Sequence, residues 1–523
     1  MRAPAFLVAT GILGSRIAGL IRQLVFAHQF GTSFAADAFT AAMRIPNFLQ
    51  TMFGEGVLSA SFIPVYSRLL GEGKDDVADR AAGAVGALLA VVTAGLVLVG
   101  VLIAPLLVWL IVPGFTGETR ELTILLVRIL FPGIGLLVMA AWCLAILNSR
   151  GRFLLSYSAP ILWNAAIIVA ILIFRRQPLD RLAIYTAIGA VVGSLLQLAV
   201  QVPTVLTVAP RLRLSFDTTL EPVRTALRNF TPAAVARGVV QISAFVDEII
   251  ASLVAAGAVA ALGYAQVLYM LPVSLFGMSV SAAELPQMSR AAAGGDTAAF
   301  ADALRVRLGR ALRFVAVFVI PSAVAFIALG DIVISMLFER GAFDADDVRY
   351  VWAALLGAGV ALPASTLGRL YASTFFALHD TRTPLRFAVA RVLVGAAIGA
   401  ALALLAPRVL EVPARWGIAG ITLGSAVGAW FELGLLARAL DTRIGRVRPA
   451  AGVMLRVVGA AMVAAVAAVI VRTWVDDWHP ILRGMLVLGV FGAAYFGLAD
   501  LLEVGELRDG LRRLRNRGAP PPG

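Results

Sequence analysis

The sequence predicts an all-α polytopic membrane protein with about fourteen transmembrane helices. They are expected as two parallel six-helix lobes plus two C-terminal helices. Three observations carry this prediction. Apolar residues make up 60% of the 523-residue chain, and the mean hydropathy is +0.90, whereas soluble domains are about 45–50% apolar. Apolar runs of about 20 residues recur along the chain, the length a helix needs to cross about 30 Å of hydrocarbon; a membrane barrel would show alternating segments of about 10. Short motifs also return at a near-constant offset, which marks an internal duplication.

The apolar runs place spans at 5–28, 36–66, 80–112, 120–147, 153–174, 182–207, 223–254, 258–288, 304–329, 348–378, 386–406, 415–438, 451–472 and 481–502. The first carries Arg16 and Arg22 and has thirteen spans after it, which argues against a cleaved signal peptide. The division is an N-terminal lobe at 1–207, a second lobe at 208–448, two extra helices at 449–502 and a basic tail at 503–523. The single cysteine, Cys143, lies mid-span and excludes an intrachain disulfide.

Net charge is +13, from 44 basic and 31 acidic residues. With the N-terminus inside, the cytoplasmic regions collect about 28 of the 44 cations and the opposite side about 10, the bias of the positive-inside rule. Both termini are therefore expected in the cytoplasm. The basic residues are spread over many short loops, which argues against nucleic-acid binding. The dense cluster Arg508–Arg517 is expected to lie on anionic headgroups of membrane lipids.

The duplication rests on order as much as on identity. Pro64-Val65-Tyr66-Ser67-Arg68 and Pro286-Gln287-Met288-Ser289-Arg290 share the spacing P-x-x-S-R. Ile45-Pro46 and Leu271-Pro272 lie 226 positions apart, as do Gly31 and Gly257. Ala145–Arg150 resembles Ala377–Arg382. Equivalent loops fall on the same side, so the repeats are parallel. In such transporters the substrate site lies near the midplane between the halves. Pro46, Pro64, Pro272, Pro286 and the Gly54-Glu55-Gly56 triplet are candidate hinges; Gly and Pro are also simply common in membrane helices.

The chemistry sits in the charges inside these spans. Arg16 and Arg22 interrupt the first span and Arg44 the second. Each costs about 2.5–3.5 kcal/mol at mid-bilayer on insertion scales, so it is expected to face water or a partner. Three converging cations point to an anion, and phosphate suits a forked donor. At 100° per residue, Asp37, Arg44 and Glu55 fall within about 20° of one another, with Asn47 a turn from Arg44. Arg16 and Arg22 are about 120° apart, with Ser15 beside Arg16. The seventh span carries Arg237, Gln241, Asp247 and Glu248, and Glu284 lies near the end of the eighth. Asp247, Glu248 and Glu284 are candidates for charge balance or for a coupling cation, Na+ or H+. The competing reading is that Asp37 and Glu55 merely neutralise arginines in a packed helix pair. Arg128 and Arg369 read as snorkelling residues. His28, His379 and His479 show no metal-ligand spacing, and no catalytic constellation, cofactor motif or phosphate-cradling glycine loop is present. A transporter rather than an enzyme is expected.

Ser15-Arg16-Ile17-Ala18-Gly19-Leu20-Ile21-Arg22, Ala36-Asp37-Ala38-Phe39, Arg44-Ile45-Pro46-Asn47 and Phe53-Gly54-Glu55-Gly56 resemble the opening of the MurJ (MviN) family. Phe338–Asp344 and Phe376–Pro384 resemble two of its later loops. The resemblance covers about residues 5–500 and is most specific in the first 70. It implies a lipid II flippase of the MOP superfamily in the bacterial inner membrane. Such a protein moves undecaprenyl-diphosphate-linked peptidoglycan precursor between leaflets. In that family, cavity arginines of the first two spans contact the diphosphate and sugar region, and the last two helices help form a groove for the lipid tail. Cell-wall synthesis proteins are the further partners it implies. The sequence departs from the pattern at Gln23, Gln50 and Val267, where an acid and two arginines are usual; Arg237 is the candidate to compensate. The eleventh span offers no acid or Asn for the sodium site of some members. The alternatives are an exporter of another polyprenyl-linked oligosaccharide or of a cationic drug, and a membrane scaffold without transport.

Overall fold

The computed structural model describes residues 2–281, 297–378, 380–449 and 451–502, without the side chains of 2–9, 232–233, 235–244 and 297–300. Helices dominate the described residues, and the only β pairing among them is a single bridge, Arg340 with Phe343. Eleven described helices are long and apolar enough to cross a bilayer, so the fourteen expected are not reached by that measure. The second expected span falls short because Asp37, Arg44, Asn47 and Gln50 dilute its apolarity. The chain divides into two compact units, Met1–Ala260 with Arg340–Phe343, and Ala261–Glu339 with Asp344–Gly523.

The first unit contains α1 (Arg2–Phe30), α2 (Phe34–Phe53), α3 (Glu55–Ser61), α4 (Ile63–Gly71), α5 (Asp75–Leu102), α6 (Ala104–Ile111), α7 (Gly117–Ser149), α8 (Phe153–Ser158), α9 (Pro160–Phe174), α10 (Leu179–Val208) and α11 (Glu221–Val254). The span expected at 36–66 is broken twice. Gly54 sits between α2 and α3 in an extended conformation, and a Cβ there would run into the Gln50 carbonyl. Phe62 then separates α3 from α4, with Pro64 in the first turn of α4, where its missing N–H costs nothing. The helix is thus broken at Gly54, while Pro46 stays inside continuous helix.

Helix α7 is the spine of this unit, packed against α2, α5 and α10. Trp142 donates from Nε1 to the Ala82 carbonyl at 3.1 Å, and Gly86 leaves room for its ring. At one end, Arg150 donates to Asp75 at 2.5 Å, to Asp79 at 2.7 Å and to the Tyr66 hydroxyl at 3.1 Å. Asp79 is 1% exposed, so this pairing satisfies a buried charge and ties α4, α5 and α7 together.

Helix α11, expected in the second lobe, packs with the first unit. Phe48 meets Phe245 and Phe53 meets Phe230 at ring-centre distances of 5.9 and 5.5 Å. The Gly114 amide donates to the Ser252 hydroxyl at 3.2 Å. By packing, the first unit extends to Ala260.

The second unit takes up most of α12 (Ala258–Pro272), which runs into a π-turn at Val273–Met278 right after Pro272. It continues with α13 (Thr297–Phe338), α14 (Ala345–Ala377), α15 (Arg382–Leu404), α16 (Ala406–Val409), a 3₁₀ turn at Ala414–Trp416, α17 (Gly417–Ile444), α18 (Ala451–Trp474) and α19 (Pro480–Leu501). Between α14 and α15, Asp380 accepts from the Thr383 amide at 3.0 Å, its hydroxyl at 2.7 Å and the Arg382 amide at 3.1 Å. These bonds hold its carboxyl below the usual carboxylate range.

Helices α18 and α19 pack on α13 through Ala460, Ala461, Ala464 and Ala468, and the Tyr495 hydroxyl donates to the Val317 carbonyl at 2.5 Å. Their other faces expose Leu455, Val466, Met485 and Leu482, the surface expected of lipid-facing helices. Pro286 and the motif Pro286–Arg290 lie outside the described residues.

Helices α15 and α17 meet along small residues, Gly395 and Gly399 against Gly420, Gly424 and Gly428. This small-xxx-small spacing lets backbones approach closely where burial of apolar surface supplies no drive. A Cβ on Gly424 would strike the Gly399 backbone, whereas Gly434 on the same helix has nothing within 4 Å. Gly424→Leu is expected to cost at least about 1–3 kcal/mol and to lower the melting temperature or membrane yield. Gly434→Leu should leave both unchanged; equal behaviour of the two variants would refute this packing account.

Candidate functional site

The polar residues of α1 and α2 converge on one cavity of about 480 Å³ inside the first unit. Helix α1 contributes Ser15, Arg16 and Arg22, and α2 contributes Arg44, Asn47 and Gln50. The Gly54 break sets Glu55, the first residue of α3, in the same wall. Apolar walls come from α7, including Leu137 and Ala141. Trp163 and Asn164 from α9 and Gln197 from α10 complete the polar lining.

Each guanidinium is accommodated differently. Arg16 is exposed. The Arg22 guanidinium carbon lies over the Trp163 ring, 5.0 Å from its centre, a cation–π contact that suits a weakly hydrated cation. Arg44 donates to Glu248 Oε2 at 3.5 Å, with side-chain exposures of 32% and 1%. Ser15 turns its hydroxyl back onto the Ile12 carbonyl at 2.9 Å, a local bond typical of Ser within helices. The Asn47 carbonyl accepts from the Thr51 hydroxyl at 3.1 Å. Of the expected site residues, Ser15, Arg16, Arg22, Arg44, Asn47 and Glu55 are thus brought together.

Asp37 is not in this wall, which corrects the expected stripe through Asp37, Arg44 and Glu55. Its carboxylate accepts from the Gly257 amide at 2.5 Å and the Ala260 amide at 2.7 Å, and the side chain is buried. It therefore caps the start of α12, where free amides and the helix dipole favour an anion. The turn opposite is built from the repeat-paired glycines: Gly31 at φ 52° and Gly257 at φ 84° both adopt the left-handed region that glycine occupies without strain. A Cβ on Gly257 would also strike Thr32. At the same end the Ala342 amide donates to the His28 carbonyl at 2.8 Å.

Glu248 stands behind Arg44 rather than in the cavity wall, and Asp247 beside it is half-buried. The side chain of Arg237, and Glu284, lie outside the described residues. The sequence reading missed Trp163, Asn164 and Gln197 as lining residues. The last two were legible in principle, as uncharged polar groups inside the apolar stretches of 160–174 and 179–208. Among the described residues no group of His, Cys, Asp and Glu is placed to hold a metal ion.

The class is thus a polytopic helical membrane protein whose first unit gathers three arginines on one cavity. Comparison with known proteins gives the family. The family model for Lipid II flippase MurJ matches residues 26–490. A protein of Rhizobium tropici named probable lipid II flippase MurJ is 34% identical over 75% of this chain and 73% of its own. The lipid II flippase MurJ of Burkholderia cenocepacia is 31% identical over 74% and 75%. A solved structure of lipid II flippase MurJ in an inward closed conformation superposes with a TM-score of 0.77 at 23% identity, covering 97% of this chain and 100% of that one. An inward-facing multidrug resistance MATE transporter of the MOP superfamily shares the fold at a TM-score of 0.62 and 19% identity, over 82% and 95%. The chain belongs to the lipid II flippase MurJ family.

The Arg44–Glu248 pair predicts an asymmetry. Removing Arg44 strands a buried carboxylate, at about 3–5 kcal/mol. Removing the charge of Glu248 leaves a guanidinium that reaches the cavity. Thermal unfolding in detergent should therefore rank Arg44→Gln well below Glu248→Gln, with the double variant recovering most of the loss. Equal melting temperatures for the two single variants would rule the pairing out.

Proposed function

We propose that this protein moves lipid II, the undecaprenyl-diphosphate-linked peptidoglycan precursor, from the inner to the outer leaflet of the bacterial inner membrane. One observation carries the reading. Arg16, Arg22 and Arg44 line a single cavity in which, among the described residues, Glu55 is the only acid. Phosphate offers the acceptors that guanidinium forks match, so the diphosphate is held at these three side chains. The headgroup enters the cavity while the polyprenyl tail stays in lipid, along the apolar outer faces of α18 and α19. Release to the other side follows movement of one repeat against the other around the site, driven by a difference in affinity between the two states.

Both termini lie in the cytoplasm in this reading, with the basic tail 503–523 on anionic lipid. Transport uses no cofactor. Glu248 balances Arg44 when the site is empty, and a potential negative inside favours outward movement of the anionic headgroup by about 2.3 kcal/mol per charge per 100 mV. A coupling cation, Na+ or H+, would use Asp247, Glu248 or Glu284. Cell-wall synthesis enzymes at the outer face take the product. Export of a cationic drug is disfavoured, because three arginines in the wall repel such a cargo.

Proteoliposomes reporting lipid II exposure test the reading. The combined Arg16→Gln, Arg22→Gln, Arg44→Gln variant, built with Glu248→Gln so that no buried carboxylate is stranded, should insert normally and lose at least about 1,000-fold of its transport, in line with three charge-assisted contacts of about 1.5–3 kcal/mol each. The corresponding lysine variants should retain part of it, since they keep the charge but lose the fork. Full transport by the glutamine variant overturns the proposal and leaves a scaffold as the better account.

A further inference from the structure

One corner of the cavity wall has a chemistry that a diphosphate does not match. Asn164, 5% exposed, lines the cavity from α9. Its Nδ2 donates to the Pro160 carbonyl at 3.0 Å. That bond fixes the orientation of the amide, because the flipped arrangement would set two oxygens face to face. Oδ1 is therefore the free end, an acceptor, and it has no hydrogen-bond partner. Gly19 of α1 faces this oxygen, and a Cβ there would meet it in ordinary contact at 3.8 Å.

In the same wall, Arg22 Nε is a buried donor with no hydrogen-bond partner, held in place by the stack on Trp163. Gln197, 9% exposed, brings a second amide from α10. Buried polar atoms are nearly always hydrogen-bonded, and exceptions call for an explanation.

An ionised phosphate carries acceptors only. It can take the proton of Arg22 Nε, but it presents negative oxygen to Asn164 Oδ1. A group that satisfies both atoms must donate and accept. Sugar hydroxyls and N-acetyl groups do so.

We propose that Asn164, Gln197 and the Nε edge of Arg22 form a subsite for the neutral sugar portion of the headgroup, a hexose bearing hydroxyl or N-acetyl groups. The inference rests on the flippase reading above and adds to it which wall meets the sugar. The guanidinium ends hold the diphosphate, and the amide corner reads what is attached to it. The amide side chains then act in selection of cargo, by rejecting lipids that leave Asn164 Oδ1 unmatched.

Equilibrium binding to the full-length protein in nanodiscs tests this with two probes. One is undecaprenyl diphosphate. The other carries the same lipid and diphosphate with the disaccharide but no peptide. Asn164→Leu should weaken the disaccharide probe by about ten-fold, the worth of one buried hydrogen bond, and leave undecaprenyl diphosphate unchanged. Gln197→Leu should shift the ratio of the two affinities in the same direction. Retained binding of undecaprenyl diphosphate reports that a variant is folded; if Asn164→Leu does not fold, the ratio for Gln197→Leu decides. An equal loss for both probes, or no loss for the disaccharide probe, overturns the subsite. A wild-type protein that binds neither probe overturns the flippase reading itself, and the subsite falls with it.

Discussion

The constraint on which the rest of this structure depends is the cost of holding guanidinium groups within a hydrocarbon slab. Nothing in lipid can solvate them, so the protein must supply stacking, a counter-ion or a water-filled space. The first unit uses stacking and a counter-ion, and sets all three cations on one cavity. Arg22 rests on the Trp163 ring, Arg44 faces the buried carboxylate of Glu248, and Arg16 is exposed. The cavity they share is as much a requirement of those charges as a consequence of them. A transporter of an anionic headgroup is served by this arrangement, because the described lining sets three arginines against the single acid Glu55 and so keeps positive charge to offer.

The local backbone serves the same end. Gly54 interrupts α2 where a Cβ would meet the Gln50 carbonyl, and the break lets Glu55 return to the cavity that Arg44 and Asn47 line. Asp37 ties the start of α2 to the start of α12 through two amides. At the opposite end of α5 and α7, Arg150 gathers Asp75, Asp79 and Tyr66. Charged groups thus fix both ends of the first unit, and the middle is left to small and apolar contacts beside the basic cavity.

Much of this was legible in the amino-acid sequence. Eleven of the span positions followed from apolar length, and arginines in the first two expected spans pointed to the cavity because their placement is costly anywhere else. Angular arithmetic failed for Asp37. It assumed one continuous helix facing one environment, whereas Asp37 lies in the first turn of α2 and answers to the amides of a residue pair 220 and 223 positions away. Such a partner leaves no periodic trace. The same holds for α11, whose side is decided by Phe48, Phe53 and Ser252 contacts rather than by its own pattern. Asn164 and Gln197 were visible as polar interruptions, but uncharged amides carry a weaker signal than arginine, and a single amide in a span is commonly satisfied by the turn before it. Asn164 is half satisfied in that way, through Pro160.

The central claim is that the positive cavity of the first unit receives the diphosphate. Cryo-electron microscopy of the protein saturated with lipid II addresses it directly. The account predicts paired phosphate density within about 3 Å of the Arg22 and Arg44 guanidinium nitrogens. Phosphate density seated elsewhere, with those guanidinium groups still engaged by Trp163 and Glu248 alone, would contradict it.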